Sequence, residues 1–167
     1  MNIRMLKAIL ILPGTALVYV PVLAIWLSRN GDMAAIFPPD GLQPWLLAAP
    51  FAVVGLWLMA WTSRIYMTRG GDGTPAPWDP IPNFIATGPY LYVRNPMLIG
   101  VILFQAAEAI FLQSGPVFGW MLTFIVMNMI YFPLSEEPAL EKRFGETYQR
   151  YKQNVPRWIP RLTAWIQ

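Results

Sequence analysis

The chain has 167 residues, of which 56% are hydrophobic and 13% are charged. A soluble domain of this length would carry roughly twice that charged fraction, so the composition predicts a small integral membrane protein with a single domain over residues 1–167. The chain has no cysteine and no histidine, which excludes disulfides, thiolate metal sites and a histidine general base. The net charge of +3 does not indicate nucleic acid binding, because the basic residues cluster on one side of the predicted spans.

The apolar stretches predict about four transmembrane helices. The first covers residues 8–27, which carry no charge. At about 1.5 Å per residue this helix spans roughly 30 Å, the thickness of the hydrocarbon core. We expect an uncleaved span that Pro13 and Pro21 kink. A short polar loop over residues 29–44, with a turn at Pro38-Pro39, separates it from a second span over residues 45–63.

Two shorter apolar stretches, residues 97–112 and 117–134, predict an antiparallel helical hairpin. A polar C-terminal helix is predicted after Glu136-Glu137-Pro138. It has an apolar stripe at spacings of four, four and three, formed by Leu140, Phe144, Tyr148 and Tyr151. The predicted fold class is therefore an all-α integral membrane protein with about four transmembrane helices, the last two forming a short hairpin, and a C-terminal helix.

Residues 64–95 are predicted to form a long loop that proline stiffens. Four prolines lie between positions 75 and 82, whereas a flexible linker would be rich in Gly and Ser. A shaped loop of this length in a small protein is usually functional. At its end, Arg94 and Asn95 precede Pro96, and proline suits the first turn of a helix. The two polar residues are therefore expected at the start of the third span.

The basic residues predict the topology. With four spans, the N-terminus, the loop 64–95 and the C-terminal segment share one side of the membrane. The opposite side holds Arg29, and the shared side holds all the other basic residues: Arg4, Lys7, Arg64, Arg69, Arg94, Lys142, Arg143, Arg150, Lys152, Arg157 and Arg161. The positive-inside rule therefore predicts cytoplasmic N- and C-termini. The C-terminal helix, Arg94 and the paired glutamates can then form one cytoplasmic site.

The charged residues near the spans have two interpretations. Glu136 and Glu137 can cap the C-terminal helix while Arg94 anchors its own helix at the head groups, and the residues alone favour this structural interpretation over a binding site. Glu108 lies well inside a predicted span. It is either functional or close enough to the outer interface to reach water. Gln105 and Asn128 are expected to form interhelical hydrogen bonds.

Several motifs, in their order along the chain, resemble the superfamily of isoprenylcysteine carboxyl methyltransferases and phospholipid methyltransferases. They are Gly88-Pro89-Tyr90, Arg94-Asn95-Pro96, a helical hairpin, Glu136-Glu137, residues 144–151 and Val155-Pro156-Arg157. Residues 73–80 resemble bacterial members. The resemblance implies an enzyme of the bacterial inner membrane that uses S-adenosylmethionine, with its cofactor-binding part over residues 64–161 and no metal. Its acceptor would be a lipophilic small molecule or lipid from the bilayer, such as an isoprenylcysteine-type carboxylate, a thiol or a lipid amine.

The resemblance also implies roles for individual residues. The cofactor-binding residues would be Tyr90, Arg94, Asn95, Pro96, Glu136, Glu137, Tyr148 and Arg157. Arg94 and Glu108 would be catalytic. Asn95 and Leu98 stand where the family motif most often has histidine and tyrosine, and asparagine cannot carry a proton at neutral pH. Two alternatives stay open: a nicotinamide-dependent membrane reductase of similar cytoplasmic architecture, and a non-catalytic membrane protein that keeps the fold.

The predicted topology can be tested by cysteine labelling, since the chain has no native cysteine. We expect a membrane-impermeant maleimide to label Gln153→Cys only from the cytoplasm and Gly31→Cys only from outside, because basic loops are retained inside. Labelling of both variants from the same side would contradict the four-span topology.

Overall fold

The computed structural model describes residues 3–28, 41–74, 76 and 78–166, and the regular structure in these ranges is helical. Its α-helices are α1 (Ile3–Gly14), α2 (Val20–Leu27), α3 (Gln43–Arg69), α4 (Pro96–Phe111), α5 (Gly115–Tyr131) and α6 (Glu137–Asn154). The predicted all-α fold class is confirmed. The predicted turn at Pro38-Pro39 and the labelling position Gly31 lie outside the described residues.

Among the described residues, three helical runs contain a stretch long and apolar enough to cross a membrane: Leu6–Leu27, Gln43–Arg69 and Gly115–Asn154. The fourth, α4, is apolar but has 16 residues, as expected for an arm of a short hairpin. Large apolar side chains point outward along these runs; Leu46, for example, is 71% exposed. Such surfaces suit lipid rather than water. The structure therefore supports the predicted membrane protein.

Two helix boundaries differ from the prediction. Helix α3 continues past residue 63 to Arg69, and the Thr68 hydroxyl donates back to the Arg64 carbonyl at 2.8 Å. Residues 64–69 mix charged and apolar side chains, and they extend the helix because the first strong helix breaker is the Gly70-Gly71 pair. The helical run that begins with α5 also continues beyond Leu134, where the fourth span was predicted to end. It passes through a π-helical turn, Phe132–Glu136, directly into α6.

The contacts within the chain divide it into two compact units. The first unit comprises Met1–Trp57 and Gly100–Met127, and the second comprises Leu58–Ile99 and Asn128–Gln167. Each unit has buried residues of its own. The single membrane domain over residues 1–167 stays a prediction.

In the first unit, the first span contains a π-helical turn, Thr15–Tyr19, between the two prolines that predicted a kink. The Val20 N–H bonds to the Thr15 carbonyl instead of the Ala16 carbonyl that an α-helix would use. The next residue, Pro21, has no N–H to offer. The Ala16 carbonyl therefore has no donor within its own helix, at a depth where water is scarce.

Side chains of two other helices satisfy this carbonyl. Gln105 Nε2 of α4 donates to it at 3.0 Å, and Trp120 Nε1 of α5 donates at 2.8 Å. Gln105 is fully buried. The interhelical hydrogen bond expected of Gln105 is thus confirmed, and it joins the first span to the helical hairpin.

Helices α3 and α4 approach closely at Gly55. A Cβ atom added there would lie 2.7 Å from the Gly100 carbonyl oxygen and 2.9 Å from the Phe104 backbone nitrogen. No real Cβ packs that tightly against main-chain atoms. Glycine at this position therefore lets the two backbones meet, as small residues commonly do between membrane helices.

In the second unit, α6 packs against the loop that follows α3. The Arg143 guanidinium donates to the Ile81 carbonyl at 3.1 Å, and the Phe84 ring contacts the rings of Phe144 (5.4 Å between centroids) and Tyr151 (5.3 Å). The predicted apolar stripe of α6 is confirmed, because its members belong to one buried cluster. Gly145 interrupts the helix with φ +53° and ψ −133°, a conformation that other residues avoid.

We expect Gly55→Ala to lower the free energy of unfolding by roughly 1–3 kcal/mol, because the added methyl group overpacks the contact between α3 and α4. The matched control is Gly119→Ala, since Gly119 lies in α5 and a Cβ there meets nothing within 4 Å. That control should leave stability unchanged or raise it by up to about 1 kcal/mol. Unfolding of both variants in detergent micelles, followed by circular dichroism, measures the difference; equal effects would contradict the close approach.

Candidate cofactor-binding site

The site begins at the turn that leads into α4. Gly88–Leu91 forms one turn of 3₁₀-helix, and Tyr90 within it is 6% exposed in a cluster with Ile65, Ile81 and Ile85. The Asn95 carbonyl accepts the Ile99 N–H at 3.1 Å, so Asn95 is the N-cap of α4 and the buried Pro96 is its first residue. The 3₁₀ turn and Pro96 thus fix the positions of Arg94 and Asn95 at the start of α4.

Arg94 is tied to the C-terminal part of the chain through both its main chain and its side chain. Its backbone N–H donates to the Pro156 carbonyl at 2.9 Å. Its Nη1 donates to Glu137 Oε1, also at 2.9 Å. The Arg94 side chain is only 11% exposed. Its orientation is therefore fixed by several contacts.

Glu137 is the centre of a buried ionic network. Its carboxylate is 2% exposed and accepts hydrogen bonds from Arg94 Nη1 and, at 2.5 Å, from Arg157 Nε, while Lys152 Nζ lies 3.1 Å from Oε2. Burial alone would raise the pKa of Glu137, but the hydrogen bonds from Arg157 and Lys152 and the nearby charge of Arg94 outweigh it and hold the pKa below its usual value. Glu137 is therefore a carboxylate at neutral pH.

Lys152 joins a second carboxylate to this network. Its Nζ lies 2.7 Å from Glu141 Oε1. The hydrogen bonds to Glu141 and Glu137 raise the pKa of Lys152 above its usual value. The network of Arg94, Arg157, Lys152, Glu137 and Glu141 thus has three positive and two negative charges, a surplus of one positive charge.

Tyrosine side chains form the apolar side of the site. Tyr148 and Tyr151 are each 3% exposed in a cluster with Val155 and Trp165. The Tyr151 hydroxyl donates to the Tyr90 carbonyl at 2.7 Å and so joins α6 to the turn before α4. Burial, and then the negative charge of Glu137, raise the pKa of Tyr148. All of these hydroxyls are therefore neutral and can donate hydrogen bonds.

Two buried donors of the site have no acceptor among the described residues. They are Arg94 Nε and Asn95 Nδ2. A buried donor without a partner costs about 1–3 kcal/mol, and more when it is charged. Both belong to residues at the start of a helix, where an anionic group is the kind of acceptor that suits such donors.

The structure brings together most, but not all, of the predicted site residues. Arg94, Glu137 and Arg157 share the ionic network, and Asn95 and Pro96 follow Arg94 at the start of α4. Tyr148 lies in the apolar cluster with Tyr151, whose hydroxyl donates to the Tyr90 carbonyl. Glu136 is separate from the network: its Oε2 accepts from the Tyr131 hydroxyl at 3.3 Å. Glu108 belongs to the first unit, whereas the network belongs to the second, so its catalytic role stays a prediction.

Three residues of the site were missed in the sequence. Lys152 and Glu141 are eleven positions apart, which would place them about 16 Å apart along an uninterrupted helix, so helical spacing gives no signal for their ion pair. The helix is interrupted between them at Gly145. The Tyr151 hydroxyl bond to Tyr90 also has no signal in the sequence. Among the described residues, no group of His, Cys, Asp and Glu side chains could hold a metal ion.

Comparison with known proteins identifies one family. Residues 44–147 match the phospholipid methyltransferase family. The chain is also 32% identical, over 63 residues, to an uncharacterized protein of Haemophilus influenzae; the match covers 38% of this chain and the whole of that protein. No solved structure shows significant similarity to the chain.

We expect Glu137→Gln to lower the free energy of unfolding by roughly 3 kcal/mol, the low end for a broken buried ion pair, because Arg157 and Lys152 are partly exposed. The neutral side chain would leave three cations close together with Glu141 as the remaining carboxylate. The matched control, Glu136→Gln, removes the same charge one residue away but weakens a single hydroxyl contact, so it should change stability by less than about 0.5 kcal/mol. Denaturant unfolding in micelles measures both; equal losses would contradict the central position of Glu137.

Proposed function

Because the chain belongs to the phospholipid methyltransferase family, and is accordingly a membrane methyltransferase in general terms, we propose that it transfers a methyl group from S-adenosylmethionine to a lipid or other lipophilic acceptor. The cofactor would bind in the second unit, where Arg94 and Asn95 precede α4. The acceptor would reach it from the bilayer. We further propose that the protein lies in a bacterial inner membrane with both termini in the cytoplasm.

The observation that carries this proposal is the pair of buried donors without acceptors, Arg94 Nε and Asn95 Nδ2. The carboxylate of S-adenosylmethionine is an acceptor that suits them, since charge-assisted hydrogen bonds are about twice as strong as neutral ones. The surplus positive charge of the surrounding network, counted above, favours the same group. The residues present therefore fit the anionic part of this cofactor.

The cationic part of the cofactor needs a different partner. S-adenosylmethionine also carries an ammonium and a sulfonium, for which a carboxylate is the natural counter-ion. Glu137 is already shared by three cations, whereas Glu136 accepts from a single hydroxyl in the described contacts. We therefore assign the anionic side of the cofactor site to Glu136 and a structural role to Glu137.

The chemistry places modest demands on the protein. The cofactor supplies an activated methyl group on a sulfonium, and transfer is a direct displacement, so the residues of the site mainly orient the reactants and exclude water. Arg94 and Asn95 would hold the cofactor, and Tyr90 and Tyr148 would shield it from solvent. A carboxylate or thiolate acceptor needs no base, whereas an amine must lose a proton. The acid–base role predicted for Glu108 would matter only for such an amine.

The two alternatives from the sequence make different binding predictions. A nicotinamide-dependent reductase would bind NADPH, and a non-catalytic protein that has lost the site would bind neither NADPH nor S-adenosylhomocysteine. The family match favours the methyltransferase. Calorimetric titration of the detergent-solubilised protein with both ligands separates the three functions, and binding of NADPH alone would overturn the proposal.

We expect Arg94→Lys to lower affinity for S-adenosylhomocysteine at least about tenfold, which corresponds to about 1.4 kcal/mol. Lysine can keep the ion pair with Glu137, but its single ammonium cannot also place a donor where Arg94 Nε lies. The control is Arg143→Lys: Arg143 lies in α6 and its Nη1 bonds to the Ile81 carbonyl outside the ionic network, so affinity should stay within about twofold. Wild-type affinity in Arg94→Lys, with folding verified by circular dichroism, would remove Arg94 from the cofactor site.

A further inference from the structure

The C-terminal segment, residues 155–166, runs back along the turn before α4. The Arg161 N–H donates to the Tyr92 carbonyl and the Trp165 N–H to the Leu91 carbonyl, each at 3.0 Å. Trp165 is 8% exposed, and its ring lies 5.5 Å from that of Tyr151. The segment is therefore fixed in position although it has no regular secondary structure.

Three large apolar side chains of this fixed segment point away from the protein. Ile159 is 80% exposed, Leu162 is 99% exposed and Ile166 is 87% exposed. Leaving such side chains in water rather than burying them is unfavourable. These three exposed side chains, the apolar patch of the segment, therefore suit a non-aqueous surface.

The bilayer is the apolar surface nearest to this patch. Arg161 is bonded to Tyr92, four residues before Pro96 begins α4, and four residues extend at most about 14 Å. In the topology proposed above, the chain enters the membrane at the start of α4, and the head-group layer above the hydrocarbon is itself roughly 5–8 Å thick. Side chains of this segment therefore lie within reach of the membrane interface.

The charges around the patch favour the same surface. Residues 148–166 contain the basic residues Arg150, Lys152, Arg157 and Arg161 and no acidic residue. The cytoplasmic leaflet is negatively charged and attracts basic segments close to it. Apolar side chains interleaved with basic ones are typical of segments that lie in the interface rather than across the membrane.

We propose that the segment 155–166 docks on the cytoplasmic surface of the bilayer, with Ile159, Leu162 and Ile166 inserted at the boundary between head groups and acyl chains and the exposed Arg150 facing anionic lipid. This contact is a second attachment to the membrane in addition to the spanning helices. It holds the residues beside Arg94 at a constant height above the lipid. The proposal does not depend on the cofactor or on methyl transfer.

The test uses single cysteines labelled with the fluorophore NBD, in protein reconstituted into vesicles of phosphatidylcholine and phosphatidylglycerol. We expect lipids with a nitroxide near the head group to quench Leu162→Cys, Ile159→Cys and Ile166→Cys at least about twofold more strongly than the control Gln153→Cys, which lies exposed on α6. Nitroxides at the acyl chain end should quench less than those near the head group. Omitting phosphatidylglycerol should weaken the quenching of Leu162→Cys.

Several results would overturn the proposal. Quenching of Leu162→Cys no stronger than that of Gln153→Cys would show that the patch faces water. Stronger quenching by the chain-end nitroxide would indicate deep insertion instead of interfacial docking. A blue-shifted NBD signal that disappears in nanodiscs holding one copy of the protein would assign the patch to a second copy of this chain. Each result is independent of whether the protein binds S-adenosylhomocysteine.

Discussion

The second unit depends on one buried carboxylate. Glu137 is 2% exposed and contacts Arg94, Arg157 and Lys152, which come from the start of α4, the C-terminal segment and the second half of α6. Removing so many charges from water is expensive, and the cost is recovered only when every partner is well placed. The network therefore acts less as a source of stability than as a constraint on position: it fixes the start of α4 against α6 and the C-terminal segment.

A related constraint acts on the backbone of the helices in both units. Both π-helical turns close on a residue that immediately precedes a proline: Val20 before Pro21, and Glu137 before Pro138. Proline lacks an N–H and its ring crowds the preceding turn, so widening the helix by one residue relieves the clash but leaves a carbonyl without a donor. At Ala16 the donors are the side chains of Gln105 and Trp120. A local defect in one helix thereby specifies the packing of two others.

The sequence predicted features that depend on local chemistry and missed those that depend on partners. Apolar length predicted the spans, Pro96 predicted the start of α4, and spacing predicted the stripe that includes Tyr148. Glu136 and Glu137 could not be distinguished, because adjacent helical residues differ by about 100° in direction and only packing decides which is buried. The extension of α3 to Arg69 was missed because the charge of Arg64 marks the end of an apolar span but does not end a helix, which continues to the glycine pair at 70–71.

These constraints explain how the proposed cofactor site could work without a catalytic base. Arg94 is held by its main chain at Pro156 and by its guanidinium at Glu137, so its remaining donor does not have to be oriented when a ligand arrives. Donors fixed before binding avoid the entropic cost of ordering them, which is how positioning contributes to a displacement reaction. In a chain without histidine, this fixed geometry replaces proton transfer as the main contribution that the protein can make. Burying Glu137 removes its carboxylate from water at a cost in free energy, and in return Arg94 and Asn95 are kept in place.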